Sequence, residues 1–581
     1  MKQTKRKLTA ILLCGLLLLS GCGAQNTAED ASSTDTGTAS SGNITAATVS
    51  AIDTSGVFSD RDLEGTYDAS AAIPILLNGD SASCDSSSVA IDGSTITIAA
   101  EGVYLISGTL NDGQIIVNAG DTDKVQLVLA GADITSSTSA AIYALEADKV
   151  FITLAEGTEN TLTNGGEYIA IDDNNIDAVI FAKTDLTLNG SGSLTINAQA
   201  GHGVVSKDEL VITGGSYTIT AASHGLSGKD SVAIADGTFA ITSGKDGIHA
   251  ENSDDTSLGW LYIQDGSFTI RSQGDAISAQ GALQIDDGTF DLYTGEGSAS
   301  VEMTSSDQFG GPMGGGQRGG WTDQTTAPDT QATSTTQTEE DSTSQKGIKG
   351  ESIYAINGGT FTIDSADDCL HAGGAMTIAA GDFTLNSGDD AVHCDDALTI
   401  QSGTFTIPYC YEGIEGLSIT IEDGVFDITS NDDGLNAAGG ADSSGFGGFG
   451  NRSQDTFAAS SDSFIIINGG AFTIVSGGDS VDSNGDLTIN GGTLDLTCNG
   501  AGDTAIDCDG TYTNNGGDVT TNDGSESNPG QMGGGKAGME GRTGTDGQGD
   551  MRSQGGSDVQ GGMRGQDGAV PSGDMRQTPG A

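Results

Sequence analysis

The chain has 581 residues, 91 of them Gly, with 5% aromatics and a formal net charge of -60 from 81 acids and 21 bases. So little aromatic and so much Gly argue against an ordinary globular core, and the charge excludes nucleic acid, whose phosphates would be repelled. What remains is affinity for cations, or for polyanions held through bridging cations. Disorder is the competing reading of such a composition, yet between residues 56 and 525 the apolar residues keep strict register.

At the N-terminus, MKQTKRKL supplies a basic start and TAILLCGLLLL an apolar run too short to span a bilayer as a mature helix. LSGC at 19–22 then has the form of a lipoprotein signal. The expectation is a signal peptide over 1–21, lipidation of Cys22, and anchoring at the outer face of the cytoplasmic membrane, so that the membrane is a partner only through this lipid. Residues 22–55, rich in Ala, Ser, Thr and Gly, read as a flexible tether. Six further cysteines (Cys84, Cys369, Cys394, Cys410, Cys498 and Cys508) lie in the exported body. Their even count permits disulfides, and none has CxxC or zinc-finger spacing.

The body from 56 to 525 is a repeat. DGTFAI (236–241), DGSFTI (265–270), GGTFTI (358–363), SGTFTI (402–407) and GGAFTI (469–474) share one pattern, and the aromatic recurs every 21 or 22 residues where no insertion intervenes. Each repeat holds a second short strand, such as LVIT (210–213) or LTIN (487–490), and a third element of the form D-x-[IVL]-x. Three short strands per about 22 residues, parted by Gly and Asp turns, predict an all-β parallel β-helix of 16–18 coils about 4.8 Å apart. Phe and Ile then point inward and stack on their equivalents in the next coil. Residues 303–347 and 439–461 are read as disordered insertions and 526–581 as a disordered Gly/Met/Arg tail. A monomer is expected.

GTLNDGQIIV (108–117) and LAEGTENTLTNGG (154–166) carry a more specific signature. With them, residues 75–525 resemble a family of exported clostridial carbohydrate-binding β-helix lipoproteins, similar in fold to calcium-dependent pectate lyases. The resemblance implies a right-handed coil, bound Ca²⁺, and binding of plant cell-wall polysaccharide, including cellulose and polygalacturonate.

The third element aligns residue by residue: KDGIHA (245–250), GDAISA (274–279), DDCLHA (367–372), DDAVHC (389–394), YEGIEG (411–416), DDGLNA (432–437), GDSVDS (478–483) and DTAIDC (503–508). Its apolar residue should face the core and its neighbours should face out. A small column from Gly247 to Ala505 beside a polar one holding His249, His371, His393 and Glu415 predicts a shallow groove. Before it stand the acids. Neighbouring carboxylates at about 4.8 Å repel by roughly 1 kcal/mol in water and about 3.5 kcal/mol at an effective dielectric of 20. Residues 351–525 hold 28 acids against one base, Arg452, so divalent cations are the expected relief. Asp246, Asp275, Asp367, Asp368, Asp389, Asp390, Asp395, Asp396, Asp432 and Asp433 are the candidate ligands, and their oxygens suit Ca²⁺. Asp and Asn are equally the ordinary residues of tight turns. His371, His393 and Glu415 offer a rival transition-metal trio and, with Tyr409 and Tyr411 as a stacking platform, the candidate carbohydrate surface.

A calcium-dependent lyase needs a base for the proton beside a uronate. No Lys occurs between 352 and 525, and Lys245 beside Asp246 is the one fallback. The expectation is therefore a cell-surface, calcium-binding, non-catalytic polysaccharide binder. A pectate lyase-like enzyme and a structural or adhesin rod are the alternatives.

Overall fold

In a computed structural model, described for residues 49–301, 303, 344–438 and 462–529, forty-three strands join in one hydrogen-bonded network. The network is parallel apart from two small antiparallel pairings near the start, Ile73–Gly79 with Ala82–Ser83 and Val89–Asp92 with Thr95–Ile98. Each repeat contributes one strand to each of three ladders, as a parallel β-helix requires. One coil runs through Thr238–Ser243 in the first ladder, Ile248–Ala250 in the second and Trp260–Ile263 in the third. It returns to the first ladder at Ser267–Ser272, one layer further on.

The first ladder shows why the sequence selects this fold. Its strands alternate exposed and buried positions, as in Ser216–Ala221 and Thr238–Ser243, and period-two alternation puts Phe and Ile on the inner face. Phe239, Phe268, Phe290, Phe361, Phe383, Phe405, Phe426 and Phe472 form one column with ring centroids 4.5–4.9 Å apart and planes within 10° of parallel. The Gly two residues before each ring is obligatory. Gly381 has φ +144°, and a Cβ there would meet Phe383 Cζ at 2.7 Å. Phe290 pairs directly with Phe361, so the chain leaves after one coil, returns at the next, and the register survives the insertion. Only turns are disturbed, which a stacked coil tolerates.

Two boundaries differ from the expectation. Residues 49–55, assigned to the tether, lie bonded to the body: Val49 donates to Asn357 Oδ1 and the Ala51 and Ile52 amides donate to Gln284 Oε1. The segment continues past Phe58, whose ring lies 5.8 Å from that of Tyr262 and tilted by 33°, to buried Asp62, which meets Lys149 and Thr187. It runs along the outer face of the third ladder, and Phe151, Thr187, Val211, Ala233, Tyr262 and Gln284, which point out of that ladder, are buried beneath it. The second boundary is that of the first insertion. Residues 344–347 belong to a coil, with Ser344 and Lys346 buried. The proposed signal, Cys22, most of the tether, the rest of both insertions with Trp321 and Arg452, and nearly all of the tail lie outside the described residues. Among the described residues no helix is long and apolar enough to cross a membrane, and the six cysteines Cys84 to Cys508 are not disulfide-bonded.

Replacing one ring of the column removes contacts to both neighbours at once. Phe383→Ala is expected to cost about 3–5 kcal/mol, read as a lowered midpoint in urea unfolding. A loss below about 1 kcal/mol would show that the column is not the core's main support.

Candidate functional site

The corner between the first and second ladders carries the acidic repeat. Its registers are His249 with Ser278, Ser278 with Lys349, Lys349 with His371, His371 with His393, His393 with Glu415, and Glu415 with Asn436. Three residues before each stands the corner residue: Asp246, Asp275, Lys346, Asp368, Asp390, Glu412 and Asp433.

One local rule organises the corner. A carboxylate oxygen accepts the backbone N–H of the corner residue in the next coil. Asp275 N donates to Asp246 at 2.9 Å, Lys346 N to Asp275 at 2.8 Å, Asp390 N to Asp368 at 3.1 Å and Glu412 N to Asp390 at 3.2 Å. The second oxygen faces the side chain three residues on. His249 Nδ1 lies 2.7 Å from Asp246 Oδ2, His371 Nδ1 2.9 Å from Asp368 Oδ2 and His393 Nδ1 3.1 Å from Asp390 Oδ2.

This corrects the expected groove. The corner turns its acid and its third residue toward each other, so both close over rather than face solvent. Asp368 is 0% exposed, His371 6% and His393 2%. The small column points inward as well: a Cβ on Gly247 would strike Ile270 Cγ2 at 2.4 Å. His371 and His393 therefore present no surface to a glycan. Tyr411 is also buried, which removes half of the proposed stacking platform, while Tyr409 remains exposed.

The charge balance differs too. Lys346, placed in the insertion by the sequence reading, sits buried with its Nζ 2.8 Å from Asp367 and 2.7 Å from Asp368. One ammonium thus offsets one of these two negative charges. Burial alone would push Asp368 up, but Lys346 and the His371 bond hold it well below the usual carboxylate range. Burial opposes a charge on His249 as well, yet Asp246 and Glu251 push it up to about 9. His393 goes up for the same reason, with Asp390, Asp395 and Glu415 around one ring.

Elsewhere burial and neighbouring carboxylates outweigh the partners the acids have. Burial and then the Asp246 charge push Asp275 up to about 7. Asp390 rises through burial, Asp389 and Glu415, and half-buried Asp433 through burial, Asp482 and Asp479. Burial, with Asp482 and Asp507, pushes Asp479 up to about 8.

Among the described residues, four groups bring three ligand atoms within 4.8 Å of one another: His224, Asp246 and His249; Asp367, Asp368 and Asp389; Asp390, His393 and Glu415; and Asp479, Asp482 and Asp507. They divide by chemistry. The Asp479 group is all oxygen, and beside it Asn436, paired with Asp482 in register, has a buried Oδ1 with no hydrogen-bond partner among the described residues. This set fits a hard cation such as Ca²⁺. The Asp367 group fits poorly, because the Lys346 ammonium already stands between two of its members. The expected trio forms only in part: His393 and Glu415 meet at 2.7 Å with Asp390, while His371 belongs to Asp368. Asp395 meets His393 Nε2 at 3.1 Å, Asp396 is exposed, and Asp432 is buried beside Asp433.

Sequence reasoning missed His202, His224 and Lys346. HGVV (202–205), HGLS (224–227) and KGIK (346–349) stand in the same corner register, with His or Lys in place of the acid that marks the repeat.

The second candidate surface lies at the other end of the first-ladder strands, about 20 Å away across six residues. A shallow trough of about 570 Å³ is lined by the Gly turns of successive coils, Gly358–Thr360, Ala380–Asp382, Ser402–Thr404 and Asp423–Val425, with Asp287. From it the outward rows of the first ladder continue as Thr360 and Thr362, Asp382 and Thr384, and Thr404 and Thr406, with Thr360, Asp382 and Thr404 exposed.

A β-helix with polar repeats on two of its corners defines a class of solenoid proteins, and comparison narrows it. The family model described as carbohydrate-binding domain-containing protein matches residues 92–391 and 389–555. The chain belongs to that family. A relative from Acetivibrio thermocellus, described in the same words, is 43% identical over 128 residues, 22% of this chain and 45% of the relative. The match thus spans about half of that relative's length. A solved structure described as a polysaccharide lyase-like protein from C. thermocellum, as a gadolinium derivative, shares 36% identity over 39% of this chain and 92% of its own, with a TM-score of 0.38.

Two outcomes are expected. Lys346→Met leaves Asp367 and Asp368 buried without their cation and should destabilise by about 3–5 kcal/mol at neutral pH, read by urea unfolding; a loss under about 1 kcal/mol contradicts the pairing. The second concerns pH. The carboxyls of Asp275 and Asp479 titrate at about 7 and about 8, against about 3.9 in the unfolded chain. The folded state therefore binds more protons between pH 4 and 8, and stability falls as pH rises through that window. In EDTA, the Tm should drop from pH 5 to pH 8.5, and Asp479→Asn should lessen the drop. A Tm that rises over this range would refute the assignment.

Proposed function

We propose that the protein is a lipid-anchored, non-catalytic binder of cell-wall type polysaccharide, with the glycan lying along the trough and the exposed Thr/Asp rows of the first ladder. The observation that carries this reading is the repetition itself. A hydroxyl or carboxylate recurs at each coil, about 4.8 Å apart, so a linear polymer of identical sugars meets the same groups at each step. Membership of a carbohydrate-binding family supports the ligand class.

The exposed carboxylates of Asp287 and Asp382, with half-buried Asp423, line the trough. A polyuronate cannot approach them directly, because like charges oppose it. Ca²⁺ with spare coordination positions bridges protein and sugar carboxylates. Neutral cellulose uses the hydroxyl rows instead. Calcium at the Asp479 corner is proposed to be structural, stabilising the coil stack.

The lysines support binding over lyase chemistry. Lys349 pairs with Glu351 at 2.7 Å, and its ammonium form is favoured by Asp275 and Glu351 against the opposing effect of burial. Lys346 is buried between two aspartates. Lys245 stands seven coils from Asp479, about 34 Å at 4.8 Å per coil, and at the opposite end of its strand position from the trough.

Binding to polygalacturonate should vanish in EDTA, and binding to cellulose should weaken only slightly. Asp287→Asn with Asp382→Asn and Asp423→Asn should reproduce that selective loss in Ca²⁺. Polygalacturonate binding undiminished in EDTA would sink the bridge, and steady release of unsaturated uronate would overturn the non-catalytic reading.

A further inference from the structure

All five histidines of the 581-residue chain fall on one corner of the coil. Two of them answer to the buried acids already described. The other three, His202, His224 and His249, follow one another on consecutive coils, with ring centroids 5.1 Å and then 4.3 Å apart and planes within 22° of parallel. They lie outside the surfaces assigned above to calcium and glycan.

Asp246 stands among them. Its Oδ2 is 2.7 Å from His249 Nδ1 and 3.4 Å from His224 Nδ1. Zinc bonds to nitrogen and carboxylate oxygen are about 2.1 Å, which places neighbouring ligand atoms of a tetrahedral ion about 3.4 Å apart. The Asp246–His224 separation matches such an edge, the Asp246–His249 contact is shorter, and the three donors all lie within 4.8 Å of one another. His224 Nδ1 also receives the Asp246 N–H at 3.2 Å, at the long end for such a bond, and ligation would take that lone pair.

A second observation comes from the coil before. His202 Nδ1, Asp177 Oδ1 and Tyr168 Oη are each buried with no hydrogen-bond partner among the described residues. His202 Nε2 stands 4.0 Å from Asp177 Oδ2, and His202 stacks on His224. Buried polar atoms without partners are rare and call for an explanation such as an unseen ion. On the other side, Glu251 Oε2 lies 3.1 Å from His249 Nε2, the outer-shell carboxylate that orients a ligating imidazole. The side chains of His202, His224 and His249 are 21%, 15% and 18% exposed, so the place is open to solvent ions.

We propose that His224, Asp246 and His249 form a binding site for a borderline divalent cation of the Zn²⁺ class, with His202 and Asp177 completing its inner end. Imidazole donors set it apart from the all-oxygen Asp479 group, since nitrogen ligands suit Zn²⁺, Cu²⁺ and Ni²⁺ and not Ca²⁺.

The test is calorimetric titration of the full chain with ZnCl₂ in buffer already saturated with Ca²⁺. One site per chain should remain under these conditions, and His224→Gln should weaken it at least tenfold. Asp482→Asn, at the oxygen group, should leave it unchanged. Because His249→Ala also strips Asp246 of a partner and risks misfolding, Co²⁺ bound to the unaltered chain supplies a second readout, with visible d–d bands of a nitrogen-containing tetrahedral site. Zn²⁺ binding abolished by Ca²⁺, equal affinity in a folded His224→Gln chain, or a Co²⁺ spectrum of an all-oxygen octahedral ion would each overturn the proposal.

Discussion

Stacking like on like is the constraint on which the rest of this structure depends. Each coil offers its backbone N–H and C=O groups only to its two neighbours, so a position in one coil is held about 4.8 Å from the same position in the next. For the Phe column that constraint is wholly favourable. Rings lie face to face, and each buried ring contributes on the order of 1.5–3 kcal/mol by burial. For a column of aspartates the same spacing is a liability, and the corner between the first and second ladders is where the chain manages it.

It does so by several devices. A carboxylate oxygen takes the N–H of the next coil, so the acid becomes part of the stacking hydrogen bonds. Histidines three residues on set a ring Nδ1 against Asp246, Asp368 and Asp390. Lys346 supplies positive charge to Asp367 and Asp368. Where neither is at hand, as at Asp479, the carboxyl is driven toward its protonated form. Buried ion pairs contribute little to net stability, because desolvation offsets attraction. At the unneutralised end, the oxygen atoms of Asp479, Asp482 and Asp507 converge within 4.8 Å of one another.

Much of the fold was legible in the sequence. The 21- or 22-residue recurrence of Phe gave the coil length, and the T-F-T-I alternation gave the inner face. The Gly before each aromatic marked the turn that now lines the trough. The corner was legible only in part. Period-two reasoning placed His371 and His393 outward, but a sharp bend puts neighbouring residues on the same side and the alternation fails there. Lys346 was hidden because the Thr/Gln/Ser composition of the insertion runs on through Ser344 and Gln345 into the coil. Burial of the third ladder's outer face under residues 49–66 carries no periodic signal, since Asp62 meets Thr187 across 125 residues of sequence.

The proposed cation at the unneutralised end of the acidic corner is tested by thermal unfolding of the full chain at pH 8 in EDTA and in millimolar Ca²⁺. Preferential binding to the folded coil raises the midpoint by mass action, and the rise should shrink at pH 5, where protons occupy the same carboxyls. An identical midpoint with and without Ca²⁺ at pH 8 would contradict the account.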